Sequence, residues 1–321
     1  MRTTALGSNG PVVGRIGLGC MGMSAGYNPA ARNDAGSILV IHRAIDLGLN
    51  LIDTADVYGP FSNEELVGRA LRGHRDKVVL ATKAGLAYRG DGPYEDIAPE
   101  RDGSPKHLSQ ALDASLRRLG TDHLDLWQLH RIDPRVPLEE TWGAMSEAVI
   151  AGKVSRLGLC EVNVDELHRA QAVHPVAAVQ SELSLWTREP LAAVVPYCAA
   201  HGITFIPFCP LGRGFLTGRF SSARDLSDGD ARRGLPRFQE AAIQANWTIV
   251  HRIAAIAKEH GATSAQVALA WLLALGRHVL PIPGTTTVEH LQENAAADDI
   301  QLPAGAIKSL DRLPEPVGSR Y

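Results

Sequence analysis

Short apolar runs separated by amphipathic stretches recur along most of the chain. The runs end in polar or small residues, as buried parallel strands do where they surface. They predict strands over Ile16–Cys20, Leu51–Asp53, Val78–Lys83, Leu124–His130, Val154–Cys160, Ala177–Glu182, Thr204–Cys209 and Val279–Pro283. Between them, apolar positions three and four apart predict helices over Ser37–Leu47, Asn63–Leu71, Pro105–Leu119, Leu138–Ala151, Asp165–Val173 and Leu191–His201. Gln239–Leu275 is long enough for two helices, and Leu291–Ala296 closes the series. Ahead of it, Thr3–Leu6 and Val12–Leu18 flank the turn Gly7–Pro11, which predicts a hairpin.

Eight strands, each followed by helix with no break in composition, predict a (β/α)8 barrel, with residues 1–321 as a single domain. The competing doubly wound sheet carries a glycine-rich dinucleotide turn after its first strand. Gly17–Gly22 lacks the third glycine of that turn, and no helix follows it directly. Two stretches, Gly90–Ser104 after the third strand and Ser221–Glu240 after the seventh, are too polar and too rich in Gly and Pro for regular elements. Both lie on the face where barrels build their sites and are candidate lids, simple spacers being the alternative.

Three successive strand tips carry chemistry. The second ends at Asp53, the third at Lys83 and the fourth at His130, and Tyr58 follows five positions after Asp53. Taken singly, each has a structural reading: a helix-capping Asp, a core Tyr, a solvated Lys, a satisfied His. Parallel barrel strands, however, bring these tips to one mouth. A free phenol titrates near about 10 and is a reluctant donor at neutral pH. An ammonium beside it favours the phenolate, so Lys83 is expected to lower the Tyr58 pKa, with Asp53 holding Lys83 charged. His130 is placed to orient a substrate oxygen. Such a set protonates an oxygen that becomes anionic, as in carbonyl reduction by hydride. No side chain donates hydride, so a nicotinamide cofactor is required.

Composition narrows the classes. The chain has 321 residues, 45% hydrophobic and 21% charged, with a net charge of -3 and no basic tract, which argues against a nucleic-acid partner. No apolar run reaches the roughly 18 residues of a membrane span, and the N-terminus lacks the apolar core of a signal peptide. The four cysteines form no C-x-x-C pair, against a structural zinc or disulfide framework, so no metal is expected and a reducing cytoplasm fits best.

The sequence resembles an aldo-keto reductase over essentially its whole length. The matching pieces are the hairpin, Gly17–Gly22, the Asp53–Gly59 run, Ala81–Lys83, Asp125–Arg131, Gly152–Val154, Val179–Glu182, Pro210–Gly218, and Pro281–Thr285 with Glu293 and Asn294. Leu157–Val162 and Leu129–Pro134 are closest to a subgroup of bacterial, fungal and plant aldehyde reductases with glutamate at position 161. The resemblance implies a catalytic tetrad of Asp53, Tyr58, Lys83 and His130, with Tyr58 as proton donor. It also implies NADPH as cofactor and a small-molecule carbonyl substrate. Gln180, Cys160 and Glu161 would hold the nicotinamide carboxamide, and Phe208 would stack on its ring. Leu211, Gly212 and their neighbours Cys209, Pro210, Arg213 and Gly214 would wrap the pyrophosphate with backbone amides. Gly284, Thr285, Thr286, Thr287, His290, Glu293 and Asn294 fall at the adenosine end. Gly19, Cys20, Met21, Asp53 and Ile282 complete the cofactor set.

Departures from the family pattern matter. Positions 160 and 209, usually Ser, are Cys, and a thiol donates a weaker hydrogen bond. Cys20, Cys160 and Cys209 read as packing residues, with inactivation of one by peroxide as the competing hypothesis. Where relatives often place Lys or Arg to grip a 2'-phosphate, this chain has Thr286 and Thr287. NADPH preference is therefore expected to persist by a reduced margin, with NADH usable, and Arg232, Arg233 or Arg237 could swing in from the long loop. Met21 or Met23, Trp186, Thr187, Arg188 and the Gly90–Ser104 loop would line the substrate pocket. An NAD-linked alcohol or sugar dehydrogenase is the alternative within the chemistry, and a cofactor-binding regulatory subunit the alternative outside it. A monomer or small homo-oligomer is expected.

Overall fold

The computed structural model describes residues 1–89 and 98–321. Strands β1 (Thr3–Ala5) and β2 (Val12–Gly14) form an antiparallel hairpin. The barrel begins with β3 (Leu18–Gly19), α1 (Asp34–Leu47), β4 (Leu51–Asp53), α2 (Ser62–Ala70) and β5 (Val79–Ala84). A short antiparallel pair, β6 (Leu86–Ala87) and β7 (Glu100–Arg101), follows, where the sequence predicts only loop. Then come α3 (Pro105–Leu119), β8 (Leu126–Leu129), α4 (Leu138–Ile150), β9 (Leu157–Cys160), α5 (Val164–Gln171), β10 (Ala178–Glu182), α6 (Val194–Ala200) and β11 (Thr204–Phe208). The chain finishes with α7 (Glu240–Glu259), α8 (Ser264–Ala274), α9 (Val288–Ala296) and α10 (Ala304–Asp311). Most of the predicted lid Gly90–Ser104 lies outside the described residues, and Ser221–Glu240 is irregular chain with three short 3-10 turns.

Seven parallel strands pair in the order β11-β10-β9-β8-β5-β4-β3, a nearly closed barrel consistent with a (β/α)8 barrel. The eighth predicted strand, Val279–Pro283, is not regular. Its Leu280 and Ile282 N–H groups donate to Phe205 and Pro207 of β11, and Gly17 N donates to Pro281 O. Pro281 and Pro283 have no N–H to return to β3, so the segment seals the gap without a full ladder.

Alternation along the strands divides the core. Leu51, Val79, Ala81, Leu126, Ala178, Ile206, Leu280 and Ile282 fill the barrel interior, capped from below by Leu6 and Val13 of the hairpin region. Their chain neighbours Ile52, Leu80, Trp127, Leu157, Leu159, Val179 and Phe205 face the helices. The inner positions one step further along, Asp53, Lys83, Gln128 and Gln180, make a polar layer above the apolar one. Helix starts are locally encoded: Asn33 and Ser104 cap α1 and α3, and Asn163 and Thr263 form capping boxes on α5 and α8. No helix among the described residues is long and apolar enough to cross a membrane.

One buried ion pair locks β5 from outside. Glu64 of α2 is fully buried; it accepts from Arg118 Nε of α3 at 2.7 Å and from the hydroxyl of Thr82, next to Lys83, at 2.6 Å. Removing the guanidinium would strand a buried carboxylate. Arg118→Ala is expected to destabilise the fold by about 3–5 kcal/mol in urea unfolding; a loss well under 1 kcal/mol would show that the pair is not what holds these elements.

Candidate active site

Asp53 ends β4, Lys83 lies on β5 and His130 directly follows β8, so the barrel registers deliver all three to one rim. Tyr58 reaches them from a tight turn after β4. That turn is fixed by Thr54 N to Ala81 O, Asp56 N to Lys83 O and Tyr58 N to Ala55 O. Lys83 Nζ spends its three protons on Asp53 Oδ1 (2.6 Å), Thr54 O (2.8 Å) and Tyr58 OH (3.2 Å). The lysine side chain is 1% exposed and its aspartate partner 5%. The other Asp53 oxygen accepts from Gln128 Nε2 at 3.2 Å and Gln180 Nε2 at 2.8 Å. His130 meets Tyr58 edge-on, ring centroids 5.8 Å apart at 84°, and its buried Nδ1 has no partner among the described residues.

The electrostatics qualify the expectation about Tyr58. Burial pushes its phenol up to about 12, against the pull of Lys83 in the other direction. The ammonium therefore limits the rise and does not reverse it. Burial also works against the charge on Lys83, but Asp53 and Tyr58 outweigh it, and the lysine pKa is raised. Burial first, then Lys83 and Arg131, drive His130 well below the usual imidazole range, so it is neutral.

Around this centre, the sequence-predicted cofactor positions fall on the tips of β9, β10 and β11 and on the turns beyond. Glu161, Cys209 and Arg213 have positive φ (54°, 48° and 55°), a strained state for side-chain-bearing residues. Gln180 is not simply a free amide at the rim, since its Nε2 faces Asp53 and Gln128. The expected amide cradle is also partly spent: Gly212 N bonds Cys209 O, and Gly214 N bonds Leu211 O. Arg213, between them, pairs with Glu182 at 2.8 Å. Phe208 packs half-buried on the inner barrel cluster. Gly19 and Ile282 meet across the barrel seam, and Cys20 N is tied to Asp53 O. Thr287 caps α9 through His290 N, with Thr285 bonded to it; Thr286 is exposed and Asn294 buried.

The aldo/keto reductase family profile matches residues 15–315. The chain belongs to the aldo/keto reductase family. A probable aldo-keto reductase of Glycine max is 41% identical over 320 residues, covering 98% of this chain and 90% of that protein. The barrel superposes on the glycerol dehydrogenase of Gluconobacter oxydans with a TM-score of 0.87 at 27% identity, covering 99% and 98% of the two chains. An aldo-keto reductase of Klebsiella pneumoniae, solved in complex with NADPH, gives a TM-score of 0.75 at 30% identity, covering 99% and 97%.

Several side chains that the sequence assigns to the substrate or cofactor of this aldo/keto reductase are committed elsewhere. Met23 is buried in the core. Trp186 is also buried, its ring stacked on Phe215 with centroids 4.3 Å apart. Arg188 anchors the end of α10 and the chain after it, donating to Asp311 O, Leu313 O and Glu315. Arg232 is held by Asp230 and Arg213 O, and Arg237 by Trp186 O, Thr187 and Gly318 O, so neither is free to swing toward a phosphate. Arg233 binds Leu226 O and Asp228. Arg188 and Arg237 meet partners far along the chain, which local sequence does not reveal, whereas Arg232 and Arg233 pair with Asp230 and Asp228 close by. Gln128 is the residue the sequence reading missed; its signal was a lone amide, two positions before His130, inside an apolar strand.

Burial raises the Cys20 thiol, pushes Cys160 up to about 12 and Cys209 up to about 11. Such thiols carry almost no thiolate at neutral pH and are poor nucleophiles. Dilute peroxide at neutral pH is therefore expected to leave intact mass and catalytic rate unchanged; a gain of one oxygen at Cys160 together with lost turnover would contradict this.

Proposed function

We propose that this protein reduces aldehydes and ketones to alcohols with NADPH, the proton coming from Tyr58. The observation that carries the reading is the buried Lys83 ammonium held between Asp53 and the Tyr58 hydroxyl at 2.6 and 3.2 Å. When bound, NADPH supplies the hydride. The residues fit such a group. Strained, left-handed Glu161, Cys209 and Arg213 cluster at the strand tips, Arg213 offers a cation for the pyrophosphate, and the N-terminus of α9 faces the adenosine positions. Cys160, Glu161 and Gln180 would hold the carboxamide, and Phe208 the ring face.

Tyr58 is protonated throughout the neutral range. An alkoxide is more basic than its phenolate, so proton transfer to an oxygen gaining negative charge is downhill. Lys83 stabilises the phenolate left behind, and Asp53 keeps Lys83 charged. His130, neutral, can donate its single N–H to the same oxygen without competing as an acid. A dehydrogenase working in the oxidative direction would use the same Tyr58 as its base, so rates measured in the two directions separate the readings. A regulatory role with little turnover is disfavoured by the fully assembled Asp53–Lys83–Tyr58 set. Four free thiols suit a reducing cytoplasm.

Tyr58→Phe is expected to lower kcat at least about 100-fold with NADPH affinity nearly intact, because the lost contact acts mainly in the transition state. Equal turnover by the variant would remove Tyr58 from the reaction. The wild-type reduction rate should be nearly flat from about pH 6 to about pH 9, since neither Tyr58 nor His130 titrates there; a steep fall near neutral pH would assign the proton to another group. With Thr286 and Thr287 exposed and Arg232 and Arg237 committed elsewhere, kcat/KM should favour NADPH over NADH by only about tenfold. A preference for NADH would overturn the cofactor assignment.

A further inference from the structure

The segment after α10 returns to the mouth of the barrel and is pinned there. The Val317 backbone exchanges two hydrogen bonds with the side-chain amide of Asn246 of α7 (2.8 and 2.9 Å), and Gly318 O accepts from Arg237 at 3.1 Å. Arg320 then pairs with Glu161 through two guanidinium nitrogens, and its Nε lies 3.8 Å from Glu182. Glu182 is the carboxylate that holds Arg213 at 2.8 Å, and Glu182 N donates to Glu161 at 2.8 Å. Both guanidiniums lie over the ring of Tyr321, Arg213 at 5.1 Å and Arg320 at 4.8 Å from its centroid. Two cations and two anions thus interlock at the tips of β9 and β10, all of them at least half-buried.

We infer that Arg320 is a positioning residue for dinucleotide binding: by balancing Glu161 and Glu182 it keeps Arg213 available to the pyrophosphate. The inference rests on the reading of the site as an NADPH site. Without Arg320, one guanidinium faces two carboxylates close by. Arg213 is then claimed more strongly by Glu182, and a dianionic pyrophosphate enters a locally more negative site. The ammonium, imidazole and phenol of the reacting centre do not contact Arg320, so the loss falls on affinity and much less on the chemical step. Tyr321 contributes by fixing the two guanidiniums against one aromatic surface.

The test is NADPH binding by fluorescence quenching, with kcat at saturating NADPH measured in parallel, on wild type, Arg320→Gln, Arg320→Lys and the double variant Glu182→Gln/Arg320→Gln. Arg320→Gln is expected to raise Kd about tenfold or more, with a much smaller change in kcat. Arg320→Lys should retain most of the affinity, and the double variant should regain part of it because charge balance returns. Wild-type affinity in Arg320→Gln would overturn the inference while leaving the NADPH reading intact. So would equal weakening by Lys and Gln, or a double variant no better than Arg320→Gln, since a role in shape alone predicts those results. If Arg320→Gln does not fold, Arg320→Ala replaces it, alone and in the double variant, under the same criteria. No NADPH binding by folded wild type would overturn both readings together.

Discussion

A buried ammonium and a buried carboxylate, Lys83 and Asp53, set the terms for the rest of the mouth. Taking either charge out of water costs several kcal/mol, and proximity alone does not offset it. Here every proton of the ammonium has an acceptor, and both carboxylate oxygens have donors. That degree of satisfaction fixes positions: one acceptor of Lys83 is the carbonyl of Thr54, and another is the phenol four residues later. The turn after β4 therefore cannot shift without leaving a buried charge unpaired. Tyr58 is placed by the same interaction that tunes it.

The barrel makes this affordable by stacking two kinds of layer. Period-two alternation sends Leu51, Val79, Leu126 and Ala178 into a dry inner plug, and sends Asp53, Lys83, Gln128 and Gln180 into a layer directly above. The polar layer rests on a packed floor and is itself buried. From outside, Glu64, Arg118 and Thr82 clamp the strand that carries Lys83. A second charge network, Glu161, Glu182, Arg213 and Arg320, rims the neighbouring strand tips, so the reacting centre and the adjoining rim are each built from interlocked pairs.

The cluster of Asp53, Lys83 and His130 was legible in sequence because short apolar runs break into polar residues at strand ends, with Tyr58 in the turn just beyond the first of them. The helices were legible because apolar spacing and caps agree, as in Pro105–Leu119. What escaped depended on distance or on what backbone chemistry forbids. The prolines at 281 and 283 turned an apolar run into a seal and not a strand. Trp186, Met23 and Arg188 lie near the mouth in sequence, but the chain turns their side chains into the core or toward the chain after α10. Arg320 meets Glu161 across 159 positions, which no local pattern encodes. The phenol was expected to be acidified because the cation beside it was visible, while the burial that outweighs the cation was not.

That last point clarifies the chemistry. In the proposed reaction, a Tyr58 pKa near 12 does not make a strong acid; it keeps the proton available until an oxygen more basic than phenolate forms beside it. Lys83 then acts on the product of the transfer, stabilising the phenolate in a site with little water. The most direct check is single-turnover reduction of an aromatic aldehyde by Lys83→Met, compared with wild type at saturating NADPH. A fall of about a hundredfold or more in the reduction step, with NADPH affinity kept, is the predicted result; wild-type turnover without the ammonium would contradict the account.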